Sequence, residues 1–397
     1  ALLEDEKARS PGYLGLRIEL ARLRIEEIEA GKDVGDDLLK ELRDLASADG
    51  GRSASNYQIQ SLQALALKKR YDAMLQDSGD RRKEEGSLRT ILLQRRTVLR
   101  RAIEAAPGLR DPYLSLAETY LGGLPLSGLG ADRSTARLAD EPDYERAVSI
   151  LRNSPEVPSV LLAAAEILLK DLKRPKDALV YYARLAERSG YDHLWVYDHV
   201  ETVPRREATH CFEAFTMLAA LSQVTSTVEL GQLVTCSAYR NAGLLAKEAA
   251  GVDVFSGGRL ILGLGAGWYE REYEAYGYTY PSARDRLRRL EETITVIPRL
   301  WAEETVSFEG EFIQMAGAYC DPKPVQTPRP KIWVGGGGEK VTLRIAAEHA
   351  DATNWQVGLD EFVHKSKVRR EHCDRIGREF DSIVRTHGPD CRLFDSE

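Results

Sequence analysis

No histidine occurs before His193; all seven lie beyond Gly190 in a chain of 397 residues. Histidine is the side chain that most readily trades protons near neutral pH. The carboxylates of the first half stand among basic residues, so catalytic chemistry is expected only in the second half. Cysteine is scarce as well. Cys211, Cys236, Cys320, Cys373 and Cys391 form no CxxC pair, a scatter that needs no metal or disulfide and fits a reducing cytosol. His210, His349, His364, His372 and His387 show neither HxH nor HExxH spacing, so no metal site is expected. No apolar run approaches the roughly 20 residues that span a bilayer. No secretory signal is visible, although the chain starts at Ala1 rather than Met. A cytoplasmic protein without membrane contact is expected. The net charge of −7 argues against general nucleic-acid binding.

What the first half does contain is helical pattern. Leu14, Ile18, Ala21, Ile25 and Ile28 recur at steps of three and four. Asp36-Asp37 opens a second helix. Gln58 to Leu75 continues the pattern, with a small polar break before it (Ala46 to Ser55) and a charged loop after it (Asp77 to Glu85). Ala102, Ala105, Pro107, Tyr113, Leu116, Ala117 and Tyr120 stand at spacings that resemble a tetratricopeptide repeat. A looser second unit runs to Leu185, across a loop from Gly122 to Asp143. A generic helical bundle reads the same way, and both remain open.

From about Gly190 strands alternate with helices, the pattern of a parallel sheet or barrel. Strands are expected at 193–197, 227–235, 260–264, 332–334 and 351–355, with a last one within 382–394. Helices are expected at 213–221, 244–254, 282–301, 339–349 and 361–376. Leu260 to Leu264 reads as a strand buried on both faces. It ends in Gly265-Ala266-Gly267, where a ligand could approach the backbone, and an aromatic, acidic segment follows from Trp268 to Tyr280. Asp198-His199 closes the first of these strands, where a barrel draws catalytic groups; a plain surface turn reads the same way. Gly335-Gly336-Gly337-Gly338 runs toward a helix, whose first N–H groups bind phosphate. It is neither a Walker loop nor a Rossmann fingerprint, and a glycine linker is the alternative.

Several stretches together resemble the bacterial-luciferase-like superfamily. They are Tyr191 to His199, Leu233 to Cys236 with Tyr239-Arg240-Asn241, Gly257 to Tyr269, Cys320 to Pro324 and Ile332 to Gly338. Their order agrees over about residues 183–397, and the chain most resembles oxidoreductases that use coenzyme F420, a 5-deazaflavin. The resemblance implies a TIM-type (β/α)8 barrel with the cofactor at its C-terminal mouth, preceded by a helical, tetratricopeptide-like region over 1–182. The family's first strand has no counterpart here. Lys173 to Asp177 is charged and holds Pro175, which a central strand does not accept. The chain also ends before an eighth strand, so about six barrel strands are expected.

The resemblance implies roles as well. Asp198 contacts the deazaflavin, and His199 lies near the reacting centre as a proton exchanger. Gln232-Leu233 is the pair where the family often holds a cis peptide behind the cofactor ring. Gly265, Gly267 and Trp268 line the mouth; one branch has an acid where Trp268 stands, and Glu270 and Glu272 are nearby but shifted. Gly335 to Gly338 take the cofactor phosphate. The implied activity is hydride exchange between F420 and a small organic substrate. An FMN-dependent monooxygenase is the enzymatic alternative, and a non-catalytic helical scaffold carrying a barrel remnant is the other. A protein partner of the helical region and a homo-oligomer are left open.

Overall fold

The computed structural model describes residues 14–28, 33–48, 54–76, 81–121, 142–203 and 211–388. His210, Cys391 and nearly all of the loop expected after Gly122 lie outside them. The chain divides into two units, Ala1–Arg188 and Ser189–Glu397. No described helix is long and apolar enough to cross a membrane.

The first unit is helical: α1 (Leu14–Glu26), α2 (Asp36–Ala48), α3 (Ala54–Gln76), α4 (Arg81–Ala105), α5 (Asp111–Tyr120), α6 (Tyr144–Arg152), α7 (Pro158–Glu166) and α8 (Pro175–Arg188). The predicted periodicity becomes packing. Ile18, Ile25, Leu42, Ile59, Leu88 and Leu92 fill one core. Ala117, Ala147, Leu151, Ala164 and Ala178 fill another, where small side chains let helices approach. The expected loop at 77–85 is corrected in part, because α4 already begins at Arg81; Arg, Lys and Glu are good helix formers. Residues 172–177 are not a strand. A π-turn, Ile167–Asp171, closes α7, and Pro175 opens α8 at the position where a missing N–H costs nothing.

The second unit carries a parallel sheet: β1 (His193–Val196), α9 (Ala214–Ser222), β2 (Glu229–Gln232), β3 (Thr235–Cys236), α10 (Ala242–Ser256), β4 (Leu260–Gly265), α11 (Glu270–Ala275), α12 (Ala283–Ala302), β5 (Val306–Glu309), β6 (Gln314–Ala318), β7 (Lys331–Gly335), α13 (Thr342–His349), β8 (Ala352–Trp355), α14 (Leu359–Ile376) and β9 (Val384–His387). The strand order is β1-β2-β4-β7-β8-β9, all parallel, with β3 also on β4. It is a half-barrel with helices between its strands, and β1 and β9 are its edges among the described residues. β5 and β6 form a separate antiparallel hairpin that the helix–strand alternation did not predict.

The close contacts of β2 with β4 and with β1 depend on missing side chains. A Cβ at Gly263 would lie 1.9 Å from the Gln232 carbonyl oxygen, and one at Gly231 would lie 2.5 Å from the Trp195 ring. Gly263→Ala should therefore destabilise the second unit by about 3 kcal/mol, the upper range for overpacking a core. Urea unfolding checks this, and an unchanged midpoint would refute the packing described.

Candidate active site

The C-terminal ends of β1, β3, β4, β7 and β8 surround one cavity of about 650 Å³. It brings together Asp198, His199, Leu233, Gly265, Gly267, Trp268 and all of Gly335 to Gly338. Gln232 is the exception. Its side chain is fully buried, both its polar atoms lack partners, and it does not line the cavity. The cis peptide is also displaced from its expected place, lying at Leu233-Val234 rather than Gln232-Leu233. The Leu233 N–H still donates to the Val196 carbonyl at 2.9 Å, so the strand ladder continues through Gln232 and the chain turns one residue later.

His199 is held from one side. Its Nδ1 lies 2.7 Å from Glu272 Oε2, on a carboxylate with no exposed surface. Glu272 accepts three further hydrogen bonds: Val200 N–H at 2.8 Å, Glu201 N–H at 3.2 Å and Tyr239 O–H at 2.9 Å. A carboxylate surrounded by donors is an acceptor, so Nδ1 carries the proton. Nε2 is then the ring's basic lone pair. Trp268 and Tyr269 each stand edge-on to the imidazole at 5.9 Å, and Tyr197 lies at 5.4 Å. Trp268 itself is 61% exposed at the rim.

Asp198 has a different setting. It accepts the Cys236 N–H at 2.9 Å and pairs with Arg240 at 2.8 Å. Burial pushes its carboxyl above the usual range, and Arg240 opposes that shift. Arg240 is shared with Glu213 and Glu248. Glu213 caps α9 through the Phe215 and Thr216 N–H groups. Burial would raise its carboxyl, but these bonds and Arg240 prevail and hold it at about 2. Burial raises the Tyr239 phenol, as does its bond to Glu272. It remains a neutral donor.

The floor and the far wall are glycine. A Cβ at Gly265 or Gly335 would lie 2.5 or 2.7 Å from the Val234 side chain. A Cβ at Gly267, where φ is +77°, would meet the Tyr273 hydroxyl at 2.2 Å. Gly336 has φ +109°, a region that favours glycine. The loop does not pass straight into a helix, which corrects the expectation for 339–349. Glu339 to Val341 form a turn, and α13 starts at Thr342 with Leu343 N–H on the Gly338 carbonyl.

Sequence reasoning noted Glu272 without a role and gave Tyr239 and Arg240 none. A signal was available. Glu272 and Tyr276 stand at the i, i+4 spacing of one helical face, although in the fold Tyr276 is the residue that follows α11.

Luciferase-like monooxygenases match residues 155–386 of the chain. An F420-dependent glucose-6-phosphate dehydrogenase of Amycolatopsis mediterranei is 34% identical over 169 residues, 42% of this chain and 49% of that one. A 5,10-methylenetetrahydromethanopterin reductase of Archaeoglobus fulgidus is 33% identical over 173 residues, 44% of this chain and 47% of that one. An FMNH2-dependent dimethylsulfone monooxygenase of Pseudomonas putida is 30% identical over 154 residues, covering 39% and 42%. The chain spans about half the length of the relatives it matches. With well over half its residues matched and a parallel half-barrel that gathers the expected residues, the chain belongs to the luciferase-like monooxygenase family.

Proposed function

We propose that residues 183–397 bind coenzyme F420 and act as an F420-dependent oxidoreductase on a small organic substrate. The observation that carries this reading is His199, fixed by Glu272 with its Nε2 lone pair free at the wall of a glycine-floored cavity. The residues fit a planar ring. Gly265 and Gly335 leave room for Val234, whose apolar side chain lines the cavity with theirs absent, and Leu233 lines it as well. A bound deazaflavin would supply hydride-transfer chemistry at the substrate carbon. His199 Nε2 takes the proton that a substrate hydroxyl gives up, and returns it in the reverse direction. Asp198, anchored by Arg240 and the Cys236 N–H, offers a polar edge to the ring. Trp268 supplies an aromatic face at the mouth. Relatives that use F420 support the deazaflavin. The test is to follow F420 absorbance as candidate hydroxyl and carbonyl compounds are added. Turnover of at least one of them is expected, and no change with any would remove the reading. FMN is the second reading, favoured by the Pseudomonas putida relative.

The glycine loop is read as the phosphate site. Gly336→Asp should bind the cofactor roughly 10-fold more weakly than Gly336→Asn, since both carry the same backbone strain and only one carries charge. Equal affinity of the two variants would withdraw the phosphate. The helical region, 1–182, is read as a scaffold for a protein partner, with tetratricopeptide-like hairpins in α5 to α8. Successive hairpins should then superpose with one crossing angle; unrelated angles would leave a plain bundle.

A further inference from the structure

Helix α14 grips the glycine loop by its carbonyl groups. Lys365 Nζ donates to the Gly337 carbonyl at 2.8 Å, from a side chain only 9% exposed. The same ammonium meets Glu361 at 3.1 Å and Glu339 at 3.8 Å. His372, also buried, donates from Nε2 to the Glu339 carbonyl at 2.8 Å. His364 Nε2 lies 3.1 Å from Glu339 Oε1. Glu361, His364, Lys365 and His372 share one helical face. Gly337 is what lets Lys365 come so close, because a Cβ there would lie 2.8 Å from Lys365 Cε.

Peptide planarity turns this grip into a direction. In a trans peptide the carbonyl and the following N–H point opposite ways. With the Gly337 carbonyl drawn toward Lys365, the Gly338 N–H points away from α14. With the Glu339 carbonyl drawn toward His372, the Lys340 N–H does the same. Gly337 and Gly338 line the cavity, whereas Lys365 and His372 do not. The Gly337 and Gly338 N–H groups donate to no backbone acceptor among the described residues.

We propose that Lys365 is a positioning residue for anion binding. It holds the Gly337 carbonyl from behind, so that the Gly338 N–H faces the cavity as a donor to a phosphate oxygen, while His372 fixes the Glu339–Lys340 peptide, two further on, beyond the cavity lining. The ammonium itself does not touch the anion; its charge is spent on Gly337 and Glu361. This rests on the reading that the loop takes the cofactor phosphate.

The test compares two probes on the full chain, F420 and the same deazaflavin lacking its phosphate, by fluorescence titration. Unsubstituted protein should prefer F420. Lys365→Met should cut that preference by about 10-fold, the scale of one lost charge-assisted hydrogen bond. Affinity for the phosphate-free ring should stay within about 2-fold, since its contacts lie elsewhere. Lys365→Arg, which can still donate to the carbonyl, should restore part of the preference, and thermal melts confirm that both variants fold. A preference unchanged in Lys365→Met overturns the positioning role while leaving the phosphate site standing. No preference in the unsubstituted protein overturns the phosphate site and this proposal with it. If Lys365→Met weakens both probes equally, the lysine supports the cavity as a whole and the proposal also fails.

Discussion

His199→Ala should lower turnover by about 10²-fold or more while cofactor affinity changes little. The first figure is the usual scale for losing a general acid or base. The second follows from the layout of the cavity. The glycine loop runs between β7 and α13, whereas His199 follows β1, three strands away in the sheet. The imidazole is partly exposed at a mouth, so its removal leaves no core cavity and stability should hold. The loss is expected in kcat and kcat/KM alike, because the group acts on the reacting proton. Turnover near the unsubstituted level would make His199 a surface residue. Lost affinity with unaltered turnover at saturation would make it a binding residue.

Glu272→Gln should cost nearly as much, although Glu272 touches neither cofactor nor substrate. Val200 N–H and Glu201 N–H both point at Oε1, so in the variant the amide oxygen must take that place. The amide NH2 then occupies the position of Oε2 and faces His199 Nδ1. Nδ1 must become the acceptor, and the ring proton moves to Nε2. His199 stays in place but presents a proton where a lone pair is needed. Turnover should fall roughly 10²- to 10⁴-fold, the range seen when the orienting acid of a His–carboxylate pair becomes an amide. The fold should survive, since Gln is isosteric and Tyr239 can turn its hydroxyl. Nitrogen NMR of labelled His199 separates this from a structural effect: a proton moved to Nε2 supports it. An unchanged tautomer, with activity lost, would show that Glu272 acts in some other way.

The alternation of strands and helices was legible because period and length differ so plainly between the two. Ile332-Trp333-Val334 and Glu361 to Ile376 could hardly be exchanged. That Lys173 to Asp177 is no strand was legible too, since Pro175 and its charges forbid one. What could not be read is whatever depends on two distant segments meeting. Glu272 is an acid among acids until α11 turns it inward beneath His199, 73 residues away along the chain. Arg240 gains its role when Asp198, Glu213 and Glu248 converge on it. The hairpin of β5 and β6 was missed because its strands are short and half-exposed, without a clear alternation. Gln232 was misplaced for a related reason. A period-2 reading cannot tell where a strand stops pairing, and one residue decides which side chain reaches the cavity.

We expect this half-barrel to hold a deazaflavin. Titration of the purified full chain with F420 and, separately, with FMN, followed by fluorescence, tests it most directly. Saturable binding of F420 is expected, tighter than that of FMN and weakened by Gly336→Asp. Tighter FMN binding would move the chain to the monooxygenase reading. Binding of neither cofactor would contradict the account, and leave the cavity of His199 and Glu272 without the chemistry proposed for it.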